Sequence, residues 1–235
     1  MAGGGTLVSF PALIWIGLPS ITANATSTVG IWTASLGGMW GFRREMRGLP
    51  PKSYRLVFPS MVGGILGAIL LRLTPTTVFD RLVPLLILFA TCLFMMQEPV
   101  QRFLNRRAGT PATGQGWAIG ALAFQFLVAL YGGYFGAGIG ILMLAALGIL
   151  GYTDIHQMNG LKNLLALFIN GVAALYFVVM GMVYWPEAVI MAAGAIAGGY
   201  GGAGMARRIG PRGVRKLVVA IGFSMAVALL VRQWK

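Results

Sequence analysis

Lys162 is the one basic residue of eighteen that no loop or span end accounts for. It stands in IHQMNGLKNLLALFIN, where Asn159, Asn163 and Asn170 fall at i, i+4 and i+11, on one face of a helix. Counting from Asp154 at 1.5 Å per residue puts Lys162 about 12 Å along that helix, deep in a ~30 Å hydrocarbon core. A lysine at that depth costs roughly 2.5 kcal/mol or more unless it faces a cavity or a partner. An ammonium among amides is a donor set for an anion. The plainer reading is a lysine paired with a backbone carbonyl or reaching for the interface, with amides that only tie helices together at about 0.6 kcal/mol per contact.

Other chemistries lack their residues. The five carboxylates, Glu45, Asp80, Glu98, Asp154 and Glu187, lie in loops or near span ends. A hard cation wants clustered oxygen ligands, and a proton pump wants a buried acid. His156, at the mouth of its helix, reads as a capping or interfacial residue before a proton relay, although the unperturbed pKa of about 6.5 that imidazoles have in general keeps the second role open. Cys92, the lone cysteine, sits in LFATCLFMM as a small core residue with no thiol or metal motif around it. There is no HExxH, no GxSxG and no acid pair. The chain reads as a non-enzyme without metal or cofactor.

These residues need a framework, and its composition is that of a membrane protein. The chain of 235 residues is 57% hydrophobic and 10% charged, with a mean hydropathy of +0.80, against about 25% charged in soluble domains. The net charge of +13 is not a nucleic-acid footprint, because the basic residues gather in loops, where they orient spans, and not on one face. MAGGG at the start has no basic n-region, so no cleavable signal peptide is read. A short apolar helix is expected within 1–18. Spans are expected at 20–42, 56–73, 82–100, 155–180, 187–206 and 214–231. A basic linker at 101–116 separates a first unit, 1–100, from a second, 117–235.

The stretch 117–150 differs. Gly132, Gly133, Gly136, Gly138 and Gly140 fall within nine residues, each costing a helix about 1 kcal/mol relative to alanine. The helix should open there, and open backbone at membrane depth survives only beside protein or a watery cavity. Broken helices with N-termini at mid-depth are how many transporters hold an anion.

The two units are related at an offset of 135 residues. Gly3, Gly5 and Leu7 fall on Gly138, Gly140 and Leu142. Asn24 falls on Asn159, and Ser27, Thr28 and Ser35 fall on Lys162, Asn163 and Asn170. Gly63, Gly64, Gly67, Ala68 and Arg72 fall on Gly198, Gly199, Gly202, Ala203 and Arg207. About fifteen apolar residues precede the second glycine break and almost none precede Gly3, so the first broken helix reads as missing its opening half. Basic loops at 43–55, 101–107 and 207–216 share one side only if 117–150 enters and returns on that side, which favours inverted repeats.

AGGGTLVSFPALIWIGLPSITANATS and its echo YGGYFGAGIGILMLAALGILGYTDIHQMNGLKN resemble the sulfite exporter TauE/SafE family of transporters. The resemblance implies a polytopic inner-membrane protein with two homologous halves that moves sulfur-containing anions such as sulfite. The fold expected is therefore all-α and multi-pass, in a lipid bilayer. The function expected is secondary transport of a small anion. Gly3, Gly4, Gly5, Asn24, Ser27, Gly136, Gly138, Gly140, Asn159, Lys162 and Asn163 are expected to line one cavity between the two breaks. The competing expectation is a membrane scaffold whose polar residues only pack helices.

Overall fold

The computed structural model of the protein describes residues 5–41, 51–106, 115–150, 152 and 154–233. Among them no strand occurs. The helices are α1 (Gly5–Trp15), α2 (Ser20–Gly41), α3 (Val57–Leu73), α4 (Thr76–Arg106), α5 (Gln115–Tyr134), α6 (Ile139–Ile149), α7 (Ile155–Val179) and α8 (Trp185–Gln233), with a 3-10 turn at Pro51–Leu56 leading into α3. The fold is thus all-helical, and the expected spans at 20–42, 56–73 and 155–180 are α2, α3 and α7. Three stretches among the described residues are long and apolar enough to cross a membrane: Ser53–Leu73, Thr76–Met96 and Gln157–Val179. Although α2 has 22 residues, it is not one of them. Its Ser, Thr and Asn residues suit a place inside the bundle, where Ala23 to Ser27 are all buried.

Two boundaries differ from the sequence reading. The span expected at 82–100 begins at Thr76 and continues to Arg106, because the first linker residues, QRFLNR, are mostly good helix formers. The loop expected at 207–216 is helical in its backbone, inside α8. Yet α8 is not straight. Tyr184 N–H donates to Thr26 Oγ1 at 3.0 Å, while Leu229 lines a cavity with Ser20. Thr26 and Ser20 are under two turns apart on α2, whereas Tyr184 and Leu229 would lie about 67 Å apart on a straight helix. The chain doubles back between them, in a stretch that holds Gly210, Pro211 and Gly213, residue types at which helices bend. Both expected passes are present, joined by a helical bend.

Contacts fix the directions of the helices. Gln125 meets Ser60, and further along both helices Gly63 meets Ala129 and Gly67 meets Tyr134, so α3 and α5 run parallel. Gly64 meets Ile169 and Arg72 reaches Tyr176 and Met180, so α7 runs with them. These approaches are close: a Cβ at Gly67 would strike the Leu130 carbonyl oxygen. Small residues let helices pack backbone to backbone in this way. The helix α6 runs the other way. It leaves the end of α5 beside Ile169, and Tyr152, just beyond it, bonds Ser53 at the foot of α3, 2.5 Å away. Segment 115–149 is therefore a re-entrant hairpin.

The helix α2 runs against α7. Thr26 meets Tyr184, past the end of α7, and Trp32 Nε1 donates to the Leu167 carbonyl at 3.2 Å, well inside it.

Two apolar clusters hold the bundle. One gathers Phe10, Phe79, Phe135 and Phe177 around the turn of the hairpin. The other packs Met143, Leu144 and Leu147 of α6 on Met158, Leu161 and Leu165 of α7. Large apolar side chains also cover the outside, Phe58, Leu73, Val179 and Ile190 among them, the arrangement expected where lipid is the solvent. Cys92 belongs to that outer surface and not to the core expected for it: it is exposed, because α4 turns Val83, Ile87, Ala90 and Phe94 inward.

Candidate functional site

The centre of the site is the turn between α5 and α6. Gly136 and Gly138 adopt φ +77° and +76°, left-handed backbone that is strained for residues with a Cβ. That conformation ends α5 and re-aims the chain into α6 within four residues. Tyr131 locks the turn: its hydroxyl donates to the Ala137 carbonyl at 2.7 Å, and its ring packs edge-on against Phe89. Gly136 N–H returns to the Tyr131 carbonyl at 3.1 Å. The first turn of α6 is tightened by Ile139 N–H to Gly136 O (3.3 Å) and Ile141 N–H to Gly138 O (3.0 Å). No side chain caps α6, whose N-cap is Gly138. Ala137 to Ile141 are all buried, so the positive end of this half-helix points into the interior of the bundle, where it favours negative charge.

Three elements bring polar side chains to the turn. From α2, Asn24 donates through Nδ2 to the Tyr134 carbonyl at 2.8 Å. A carbonyl can only accept, so this bond fixes the amide, and Asn24 Oδ1 is left buried without a partner. One turn on, Ser27 pairs with Ser9 of α1, 2.7 Å between hydroxyl oxygens. Phe10, next to Ser9, stacks edge-on against Phe135 of the turn at 5.3 Å between centroids. From α7, Asn170 brings its Oδ1 to the side of Gly136. Thr28 is spent within its own helix, on the Asn24 carbonyl at 2.9 Å.

Lys162 lies elsewhere. Its side chain is 6% exposed, and Nζ donates to Asn159 Oδ1 at 2.9 Å. Eight residues separate it from Asn170, about 12 Å along α7 toward the end where α3, α5 and α7 begin. Counting seven residues back along α5 and α7 from the Gly132–Ile169 contact puts Gln125 at the depth of Lys162. Gln125 is fully buried, bonds Ser60 at 3.0 Å, and keeps Oε1 without a partner. A second polar layer thus comprises Ser60, Gln125, Asn159, Lys162 and the half-buried Asn163.

Of the residues expected in one cavity, Asn24 bonds the end of α5 beside Gly136, Gly138 and Gly140, and Ser27 lies one turn further along α2, paired with Ser9. The structure places Asn159, Lys162 and Asn163 in the second layer. The reason is direction: Ser27 is five residues before Trp32, and Lys162 five before Leu167. Because α2 and α7 are antiparallel, those positions lie on opposite sides of the crossing, about 15 Å apart. Gly5 opens α1 beside Ile31, and Gly3 and Gly4 lie outside the described residues, as do the side chains of His156 and Ser35. Asp154 serves as the α7 cap, accepting from Gln157 N–H at 3.4 Å. Ser9, Tyr131, Gln125 and Ser60 were missed from sequence. Gln125 had a signal, as the one polar side chain of the apolar run AIGALAFQFLVAL. No cluster of potential metal ligands occurs among the described residues.

A helical membrane bundle with a helical hairpin broken at buried glycines, beside buried amides, has the architecture of a membrane transporter. The comparisons agree with that class. The family model for sulfite exporter TauE/SafE matches residues 1–229, and the chain belongs to this family. It is 28% identical over 242 residues to a "Probable membrane transporter protein" of Haemophilus influenzae, covering 99% of this chain and 89% of the relative. It is 25% identical to the Escherichia coli "Probable membrane transporter protein YfcA", over 98% of this chain and 83% of that one. To "Probable membrane transporter protein ORF9" of a Sinorhizobium species it is 23% identical, over 98% and 86%. No solved structure matches. The protein is a multi-pass membrane transporter.

Proposed function

We propose that the chain is a secondary transporter of the inner membrane that exports a small oxyanion, sulfite or an organosulfur anion. The observation that carries this reading is the buried, uncapped N-terminus of α6 at a glycine turn that Asn24, Ser27 and Asn170 surround. Backbone N–H groups and a positive dipole end hold an anion without a permanent positive charge, which lets it leave again. Lys162 with Asn159, Asn163 and Gln125 forms a second station on the path to one membrane face. The basic loops before α3 and α5 make that face cytoplasmic. In this reading Gly3, Gly4 and Gly5 supply the first unit's counterpart of the turn.

The two halves, 1–100 and 117–235, are read as inverted repeats. Trp32 and Leu167, in contact where α2 crosses α7, are 135 residues apart, which is the repeat offset. The crossing is antiparallel, as an in-plane two-fold requires. The test is uptake of labelled sulfite into proteoliposomes holding the purified protein. Saturable uptake that Asn24→Leu and Lys162→Ala reduce at least tenfold in folded protein supports the reading. Undiminished uptake in both variants overturns the site, and no uptake by the unmodified protein overturns the function.

A further inference from the structure

We propose that the transported anion must itself donate a hydrogen bond: it is a monoanion that keeps an O–H or N–H, not a fully ionised oxyanion with acceptors alone. This rests on the reading of the α5–α6 turn as the substrate site. The uncapped N-terminus of α6 offers donors and positive potential, which any oxyanion can use. Asn24 does not add to that supply. Its donor atom is held by the Tyr134 carbonyl, and what remains is an acceptor oxygen on a residue 1% exposed. A buried acceptor without a donor is a penalty that a ligand with the right group removes. Beside an acceptor-only anion the same oxygen repels, oxygen lone pair against oxygen lone pair.

The second layer repeats the pattern. Gln125 directs Nε2 to Ser60 and keeps Oε1 free of partners, at the depth where Lys162 supplies the positive charge. Each layer thus holds one buried amide oxygen without a partner: Asn24 beside the end of α5, and Gln125 level with Lys162. A hydrogen-bearing sulfur oxyanion or a hydroxy- or aminoalkanesulfonate satisfies both, the sulfonate or sulfite oxygens taking the donors and the O–H or N–H meeting the amide. Sites built around a substrate donor discriminate strongly against analogues without it, because the site's own polar group is then left unpaired.

The test uses two sulfonates of similar size, 2-hydroxyethanesulfonate and propane-1-sulfonate, as competitors of sulfite uptake by the intact chain in proteoliposomes. The hydroxylated compound is expected to compete about 10- to 100-fold more strongly, and Asn24→Leu is expected to bring the two within about threefold of each other. Equal competition in the unmodified protein, or a preference that survives Asn24→Leu, overturns the inference while leaving anion transport standing. Absence of any sulfite uptake or sulfonate binding overturns the transport reading and this inference with it. Should Asn24→Leu fail to fold, thermal unfolding of the unmodified protein with each sulfonate decides: stabilisation by the hydroxylated compound alone supports the requirement, and equal stabilisation refutes it.

Discussion

Replacing Lys162 by methionine separates a transporter from a scaffold. The lysine is buried and bonds Asn159 Oδ1 at 2.9 Å. A lysine at the centre of a membrane helix costs roughly 2.5–3.5 kcal/mol. Methionine keeps most of the stem and removes that cost, at the loss of one donor to Asn159, about 1 kcal/mol. Lys162→Met should therefore stabilise the fold by about 1.5–2.5 kcal/mol, raising Tm by roughly 3–10 °C for a chain of this size. Sulfite uptake should fall at least tenfold, because the charge at the second station is gone. Thermal unfolding in detergent and proteoliposome uptake, run on the same preparation, check both halves. A stabilised variant that transports at the unmodified rate would show that the lysine only packs. A destabilised one would show that Lys162 is a structural partner and that its cost is offset within the fold.

Three further outcomes are expected. Tyr131→Phe removes the hydroxyl that bonds the buried Ala137 carbonyl; losing that donor should cost about 1–3 kcal/mol, read as a Tm lowered by roughly 2–12 °C, and an unchanged Tm would exclude Tyr131 as the clamp of the turn. Gly133→Ala places a methyl against the Gly64 backbone and should cost about 1–3 kcal/mol of overpacking, read as a lowered Tm; an unchanged Tm would refute the close approach of α3 and α5. Single cysteines introduced at 47 and at 212, in a Cys92→Ser background, should both resist an impermeant thiol reagent in intact cells. Labelling of the 212 site alone would favour parallel repeats.

How much of this was legible depends on which physical term sets each feature. The turn fell where the glycines of 132–140 are dense, and Gly136 and Gly138 do take the left-handed backbone only glycine adopts readily; density alone does not decide, since Gly198, Gly199, Gly201, Gly202 and Gly204 stay helical within α8. The interior position of α2 was readable from its Ser, Thr and Asn residues. The outward face of Cys92 was not, because a helix apolar on all sides carries no periodicity to say which side is core and which is lipid. The helical bend inside α8 was likewise hidden, since Gly210, Pro211 and Gly213 mark a reversal but not whether the backbone stays helical through it.

Asn170 and Lys162 show where sequence reasoning about the site reaches its limit. Pairing Asn24 with Asn159 and Ser27 with Lys162 across the repeat identified residues of matched chemistry, and matched distance from a helix start suggested matched depth. Depth is measured from the membrane, however, and antiparallel α2 and α7 count it from opposite faces. The contact that decides this joins Trp32 to the Leu167 carbonyl, a side chain of one unit on the backbone of its equivalent, and no pattern in either helix announces it. Once that crossing is the origin, Ser27 and Lys162 separate, while Asn170, three residues past Leu167, arrives at Gly136. Asn170 thereby reaches the turn that Gly136 forms, and Lys162 lies about 12 Å away along α7. The Trp32–Leu167 bond lies between the two polar layers, so it is the contact that separates them.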